Sequence, residues 1–143
     1  MNTKVTLKQQ LRNNLIAIIS IFIAISSLAY NTWRNEQTEY NRNIRTSSFE
    51  IIMSLAQLQL LVDYTYYDDV NKGDPLKGWS YVLYIRDLTS AMSRSSQHAS
   101  NELFTVWQQN FQQIDSDKQS IEAVTKAIKK CREQVLAELK ELK

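Results

Sequence analysis

Residues 15–29 read LIAIISIFIAISSLA and lie inside a window, residues 13–33, in which none of the 21 side chains is charged. At about 1.5 Å per residue, a helix over this window would be about 31 Å long, which matches the ~30 Å hydrocarbon core of a bilayer. A core helix of a small soluble domain does not need to be apolar on every side over this length. The sequence therefore predicts a transmembrane helix over residues 13–33, after an N-terminal tail over residues 1–12.

The charges that flank this window indicate its orientation. Lys4, Lys8 and Arg12 precede it without an opposing acid, and three basic residues follow it at positions 34, 42 and 45. A short basic N-terminal flank usually stays in the cytoplasm. We therefore expect a cytoplasmic N-terminus, a single pass through the inner (cytoplasmic) membrane of a bacterium, and a C-terminal domain in the periplasm. The reverse orientation, with the domain in the cytosol, is the alternative.

The window also has features of a cleavable secretory signal, because Ser27 and Ala29 would suit a signal peptidase after a basic start. However, the uncharged window is longer than the apolar core of a usual signal peptide. Tyr30 and Trp33 follow the apolar run, where aromatic residues are enriched at membrane interfaces. These features favour an uncleaved signal anchor with Tyr30 and Trp33 at the membrane interface.

Small side chains recur on one side of the predicted span. Ala17, Ser20, Ala24 and Ser27 follow one another at spacings of 3, 4 and 3 residues. Such stripes allow two transmembrane helices to approach closely, and hydroxyl groups can form hydrogen bonds across the contact. We therefore predict that this stripe packs against an integral membrane partner or against a second copy of the chain.

The composition limits the fold class and the class of ligand. Gly73, Pro75 and Gly78 are the only glycines and proline in the 143 residues, and such chains are rarely rich in strands, because tight turns use these residues. Residues 31–143 carry 14 basic and 15 acidic side chains, so this part has no basic surface of the kind that binds nucleic acid. An all-α protein without a nucleic-acid partner is predicted.

The spacing of apolar residues predicts four helices. Ile51, Leu55, Leu58 and Val62 form a seam typical of coiled-coil packing, and Gly73, Asp74 and Pro75 predict a helix stop followed by a new start. The predicted helices cover residues 5–68, 75–94, 101–114 and 117–142. The first would cross the membrane, continue as a polar helical stalk over residues 34–48, and enter an extracytoplasmic four-helix bundle over residues 49–143.

Two polar segments predict boundaries between these helices. Residues 93–101, SRSSQHASN, are predicted to form a connector, with His98 exposed in it. Ser116 and Gln119 match a capping box and predict the start of the last helix.

No group of residues predicts catalysis, a metal site or a cofactor. His98 is the only histidine, and Cys131 is the only cysteine, placed on the apolar stripe of the last helix. Metal sites and nucleophilic catalysis both need several such groups together. We therefore expect a non-enzymatic protein without a small-molecule substrate.

The densest polar cluster is a run of tyrosines and aspartates at the end of the first predicted helix. Acids at a helix C-terminus are mildly unfavourable, and tyrosine is enriched at protein interfaces. The cluster is therefore a candidate contact site for a partner protein, with a solvated turn or a cation site as alternatives. Its residues are Asp63, Tyr66, Tyr67, Asp68 and Asp69.

These features together favour an accessory or scaffold subunit that binds a larger membrane protein complex through its membrane helix and its extracytoplasmic domain. The predicted architecture resembles the ligand domains of chemoreceptors and sensor kinases, which implies a sensor as one alternative. Such sensors have a second membrane helix, and the charged last helix predicted over residues 117–142 cannot span a bilayer. A spanin-like lysis protein, with a similar anchor and a long periplasmic coiled coil, is the other alternative.

Overall fold

The computed structural model describes residues 6–68 and 73–142, and within these ranges it is helical and contains no strand. The predicted all-α class is therefore confirmed. Five helices follow one another along the described chain: α1 (Leu7–Asn13), α2 (Leu15–Tyr67), α3 (Pro75–Thr89), α4 (Arg94–Asn110) and α5 (Lys118–Glu141). The chain divides into two units, Met1–Tyr40 and Asn41–Lys143.

The first unit contains α1 and the beginning of α2. The prediction of one helix from residue 5 to residue 68 was wrong at Asn14, where the backbone leaves the helical region (φ −105°, ψ 13°). Hydrogen bonds from Asn14 N to Gln10 O and from Ile18 N to Asn14 O, both 3.0 Å, bridge the interruption. The apolar window of α2 has none of its residues buried, and it has the length and composition of a membrane span or a signal sequence.

The second unit has one hydrophobic core to which α2, α3, α4 and α5 all contribute. The predicted seam of α2 forms one side of it, since Ile51, Leu55, Leu58 and Val62 are each 0% exposed. The other helices supply Val82 and Ile85 from α3, Leu103 and Trp107 from α4, and Val124, Ile128, Cys131 and Val135 from α5. An amphipathic helix buries one apolar stripe in this way, so each of these helices depends on the others.

The turn into α3 follows the prediction. Asp74 is the N-cap, and its Oδ1 accepts a hydrogen bond of 2.9 Å from Leu76 N, while Pro75 occupies the first helical position. Proline is favoured there because the first turn does not use its missing N–H. The helix ends at Thr89, several residues before the predicted end at residue 94.

The predicted polar connector over residues 93–101 was wrong, because this segment is the first half of α4. Ser93 caps the helix, and Ser96, Ala99 and Ser100 are buried against its neighbours. The hydroxyl groups of Ser100 and Thr89 share a hydrogen bond of 2.6 Å. Small side chains with satisfied hydroxyls let α4 pack closely, so a serine-rich sequence that suggests a loop forms a helix contact instead.

The start of α5 also differs from the predicted capping box. Asp117, and not Ser116, is the N-cap, and its carboxylate accepts hydrogen bonds from Gln119 N, Ser120 N and Ser120 Oγ. The hydroxyl of Ser120, followed by its N–H, holds the pKa of Asp117 below its usual value. A charged cap next to the helix dipole is more favourable than a neutral serine one residue earlier. The preceding helix α4 ends at Asn110, short of the predicted residue 114.

Helices α3 and α4 meet where Gly78 faces Trp107. Trp107 is 0% exposed, and a Cβ atom placed on Gly78 would overlap the six-membered ring of its indole. Trp79, the next residue of α3, makes edge-to-face contacts with Phe104 and Phe111, with ring centroids 5.5 and 5.4 Å apart. The absence of a side chain at Gly78 therefore sets how closely the two helices approach.

Gly78→Ala should lower the free energy of unfolding by about 1–3 kcal/mol, because the added methyl group overpacks the indole. In an unconstrained helix the same change would instead stabilise by about 0.5–1 kcal/mol. Chemical denaturation of the detergent-solubilised chain, followed by tryptophan fluorescence, measures the difference. Ser80→Ala, at an exposed position of the same helix, is the control. A Gly78→Ala protein as stable as the control would contradict this packing.

A buried carboxylate joins the last turns of α5 to the first turn of α4. Glu138 is 9% exposed. Its Oε1 accepts from Ser93 N at 2.9 Å, and its Oε2 accepts from Ser93 Oγ at 2.6 Å and from Ser96 Oγ at 2.5 Å. A negative charge at a helix N-terminus is favoured by the helix dipole. Glu138 therefore satisfies donors that would otherwise be left without partners at the start of α4.

Glu138→Ala should lower the free energy of unfolding by about 1–3 kcal/mol, because it leaves the buried hydroxyl of Ser96 unsatisfied and removes two further hydrogen bonds from Ser93. Glu133→Ala is the matched control, since Glu133 is 66% exposed and lies 3.9 Å from the ammonium group of Lys129. The same denaturation measurement applies to both. Equal stabilities of the two variants would show that the Glu138 network contributes nothing.

Candidate functional site

Three residues of the predicted cluster, Asp63, Tyr66 and Tyr67, lie in the last turns of α2. Asp68 directly follows the helix, and Asp69 is outside the described residues. Tyr67 is 75% exposed, whereas Asp63, Tyr66 and Asp68 are half-buried. The rings of Tyr66 and Tyr67 meet edge to face, with centroids 4.7 Å apart. Tyr66 packs against the hydrophobic core, so its ring positions the more exposed Tyr67 beside it.

A groove of about 370 Å³ runs between α2 and α5 next to this cluster. Asp63 and Tyr67 lie on its α2 side. Gln59 links the two helices across the groove. Its Nε2 donates hydrogen bonds to Asp63 Oδ1 at 2.8 Å and to Thr125 Oγ1 of α5 at 3.2 Å. Two residues of the predicted contact site therefore belong to a concave surface that a second helix completes.

The α5 side of the groove adds charges that the sequence analysis missed. Lys126 and Lys129 line it together with Glu122, opposite Asp63. Both signs of charge therefore face the same open space, which suits a polar protein surface better than an apolar ligand. Lys126 and Lys129 lie in the last predicted helix, over residues 117–142, but only the packing of α5 on α2 shows that they lie near Asp63.

The predicted stripe of small residues in the first unit is exposed along its whole length. Its spacing places Ala17, Ser20, Ala24 and Ser27 on one side of α2. The Ser20 hydroxyl donates to Ile16 O of its own helix at 2.8 Å, so it retains lone pairs that can accept a hydrogen bond from a neighbour. The stripe is therefore a surface of small side chains on which the Ser20 hydroxyl has already used its hydrogen for a bond within its own helix.

The two predicted interfacial aromatic residues are also exposed. Tyr30 and Trp33 are 58% and 59% exposed, and their ring centroids are 6.1 Å apart. Together they form a small aromatic surface on α2, at the end of the apolar window.

His98 and Cys131 lie in different surroundings from each other. His98 is exposed on α4, beside a groove that Arg94 and Lys130 also line. Cys131 is 0% exposed, and burial raises the pKa of its thiol to about 12. Among residues 6–68 and 73–142, no three His, Cys, Asp or Glu side chains converge on a position that could hold a metal ion.

No protein family, no curated protein sequence and no solved structure matches the chain.

The buried thiol of Cys131 should react very slowly with iodoacetamide near pH 8 in the folded protein, because the thiolate is the reactive form. Unfolding in urea should expose the thiol and accelerate the reaction strongly. Mass spectrometry of the alkylated chain measures both rates. A Leu76→Cys variant in a Cys131→Ser background is the control, since Leu76 is 68% exposed. Equally fast labelling of native Cys131 and of the control would contradict the buried position.

Proposed function

We propose that the chain is a non-enzymatic, single-pass membrane protein that serves as an accessory or scaffold subunit of a larger membrane complex. The observation that carries this proposal is the apolar window of α2, which has the length of a membrane span and none of its residues buried. The proposed orientation places the N-terminus in the cytoplasm and the second unit on the periplasmic side of the inner membrane, in keeping with the basic residues before the window.

Exposed apolar surface of this extent is strongly unfavourable in water. Seven isoleucine and phenylalanine side chains of the window are between 43% and 81% exposed: Ile16, Ile18, Ile19, Ile21, Phe22, Ile23 and Ile25. Burying one such side chain contributes about 1.5–3 kcal/mol, so a lipid environment would stabilise the segment by a large amount. These side chains lie on all sides of the helix, so a protein groove would have to surround the helix completely to bury them. A bilayer surrounds a single helix in this way without further requirements.

The small-residue stripe supports a helix–helix contact within the bilayer. Ile and Phe on the other sides of the helix match lipid tails, whereas Ala17, Ser20, Ala24 and Ser27 leave a shallow surface where a second backbone can approach. Lipid does not require such a surface. The stripe therefore favours a protein neighbour in the membrane.

The second unit supports a binding role outside the membrane. Its four helical segments share one core, and we interpret them as a four-helix bundle. The groove between α2 and α5, with Asp63 and Tyr67 on one side and Lys126 on the other, offers a polar surface for a partner's ectodomain. The same groove favours a second candidate function, a sensor module for a small zwitterionic ligand, because it presents both signs of charge.

Replacing Ser20 and Ala24 together with leucine should release the partner during solubilisation in a mild detergent, because the larger side chains prevent close approach of two helices. Affinity purification of the tagged chain from native membranes, followed by mass spectrometry, measures what remains bound. Ile19→Leu with Ile23→Leu is the matched control, since both residues belong to the same exposed apolar window and keep their volume.

The proposal expects a stoichiometric membrane partner with the native chain and with the control, and its loss with the Ser20/Ala24 variant. Unchanged recovery with both variants would contradict a role for the stripe. Recovery of the tagged chain from the soluble fraction would contradict the membrane anchor itself.

A further inference from the structure

A second apolar stripe runs along α2 within the second unit, on the side opposite the core. Phe49, Met53, Leu60 and Tyr64 are 54%, 64%, 43% and 45% exposed, and Ala56 stands between them. Their spacing of 4, 3, 4 and 4 residues places them on one side of the helix. We call these five residues the outer stripe.

The outer stripe and the core seam divide α2 into two apolar sides. Ile51, Leu55 and Leu58 are fully buried on the core side, whereas the other side stays exposed. Helix α3 borders that side only at Leu60 and Tyr64, which share a groove with Lys77 and Tyr81. A helix that faces water on one side normally carries polar residues there. Two apolar sides on one helix indicate two packing partners, of which α3, α4 and α5 supply only the first.

The charges that flank the outer stripe favour a second copy of α2 in parallel orientation. In heptad terms Met53 and Leu60 are a positions, and Phe49 and Ala56 are d positions. Arg45 is then a g position and Glu50 is the e position five residues later. In a parallel pair, Arg45 of one helix lies beside Glu50 of the other, and the symmetry repeats this ion pair on both sides.

Both residues are available for such a pair. Arg45 and Glu50 are exposed, and neither takes part in an ion pair among the residues that the structure describes. The a and d positions from Phe49 to Leu60 contain no charge, so identical residues can face each other without repulsion. Asp63 occupies the next d position, but it lines the groove beside α5 and accepts a hydrogen bond from Gln59 Nε2, so the apolar a and d positions end at Leu60.

We infer that two copies of this chain pair in parallel through the outer stripe of α2, with Ala56 allowing close approach at the centre. The inference rests on the proposed membrane anchor, since two chains inserted in one bilayer by the same segment run in the same direction. Membrane attachment raises the effective concentration of the two copies, which supports an interface of only a few large side chains.

Cysteine cross-linking in native membranes tests this pairing. Met53→Cys and Leu60→Cys, each in a Cys131→Ser background, should give a covalent dimer of twice the chain mass under mild oxidation. Leu76→Cys on α3 is the matched control, because Leu76 is 68% exposed and lies outside the outer stripe. It should remain monomeric under the same conditions.

A charge exchange tests the register and the direction of the two helices. Arg45→Glu or Glu50→Arg alone should reduce the yield of the Met53→Cys dimer, because like charges then meet. The double variant Arg45→Glu with Glu50→Arg should restore the yield. Absence of this rescue would overturn the parallel register.

Other results of the cross-linking experiment also support or overturn the pairing of two copies. No dimer at either stripe position, or an equal yield with Leu76→Cys, would overturn the inference. A cross-linked product with a different protein would overturn pairing of two copies and leave the accessory role intact. The same cross-links obtained from soluble material would support the pairing and overturn only the proposed membrane anchor.

Discussion

The core seam of α2 is the contact on which the second unit depends. Helices α3, α4 and α5 each have one apolar stripe, and an isolated amphipathic helix of that length is only marginally stable in water. Ile51, Leu55, Leu58 and Val62 provide the surface against which these stripes are buried together. Gly78 and Glu138 then fix details of the assembly. One sets the approach of α3 to α4, and the other ties α5 to the start of α4.

Much of this arrangement could be predicted from the sequence, because it depends on local spacing. The all-helical class, the seam at residues 51–62 and the start of α3 at Pro75 all follow from apolar periodicity and from the position of glycine and proline. The start of α4 could not be predicted in the same way. Its serines are weaker helix formers than alanine or leucine, and their buried contacts with Thr89 and with Glu138, which is more than 40 residues away, add to the helix in a way that local spacing does not show.

For the candidate contact site, the part within one segment could be predicted from the sequence, whereas the part supplied by a second helix could not. The end of α2 was found from composition, since tyrosine and aspartate are unusually dense there. Its groove was not, because Lys126 and Lys129 follow Asp63 by more than 60 residues and become its neighbours only through packing. The outer stripe of α2 is visible in the sequence as spacing, but its exposure is known only from the structure. A helix with two apolar sides can be interpreted only when one side is seen to be occupied.

The hydrogen bonds between Glu138 and Ser93 also affect the order in which the protein can form. The two residues are 45 positions apart, and the later one lies near the end of α5. During synthesis, α4 therefore emerges from the ribosome long before the carboxylate that completes its first turn. The second unit therefore reaches its stable form only after translation has passed Glu138.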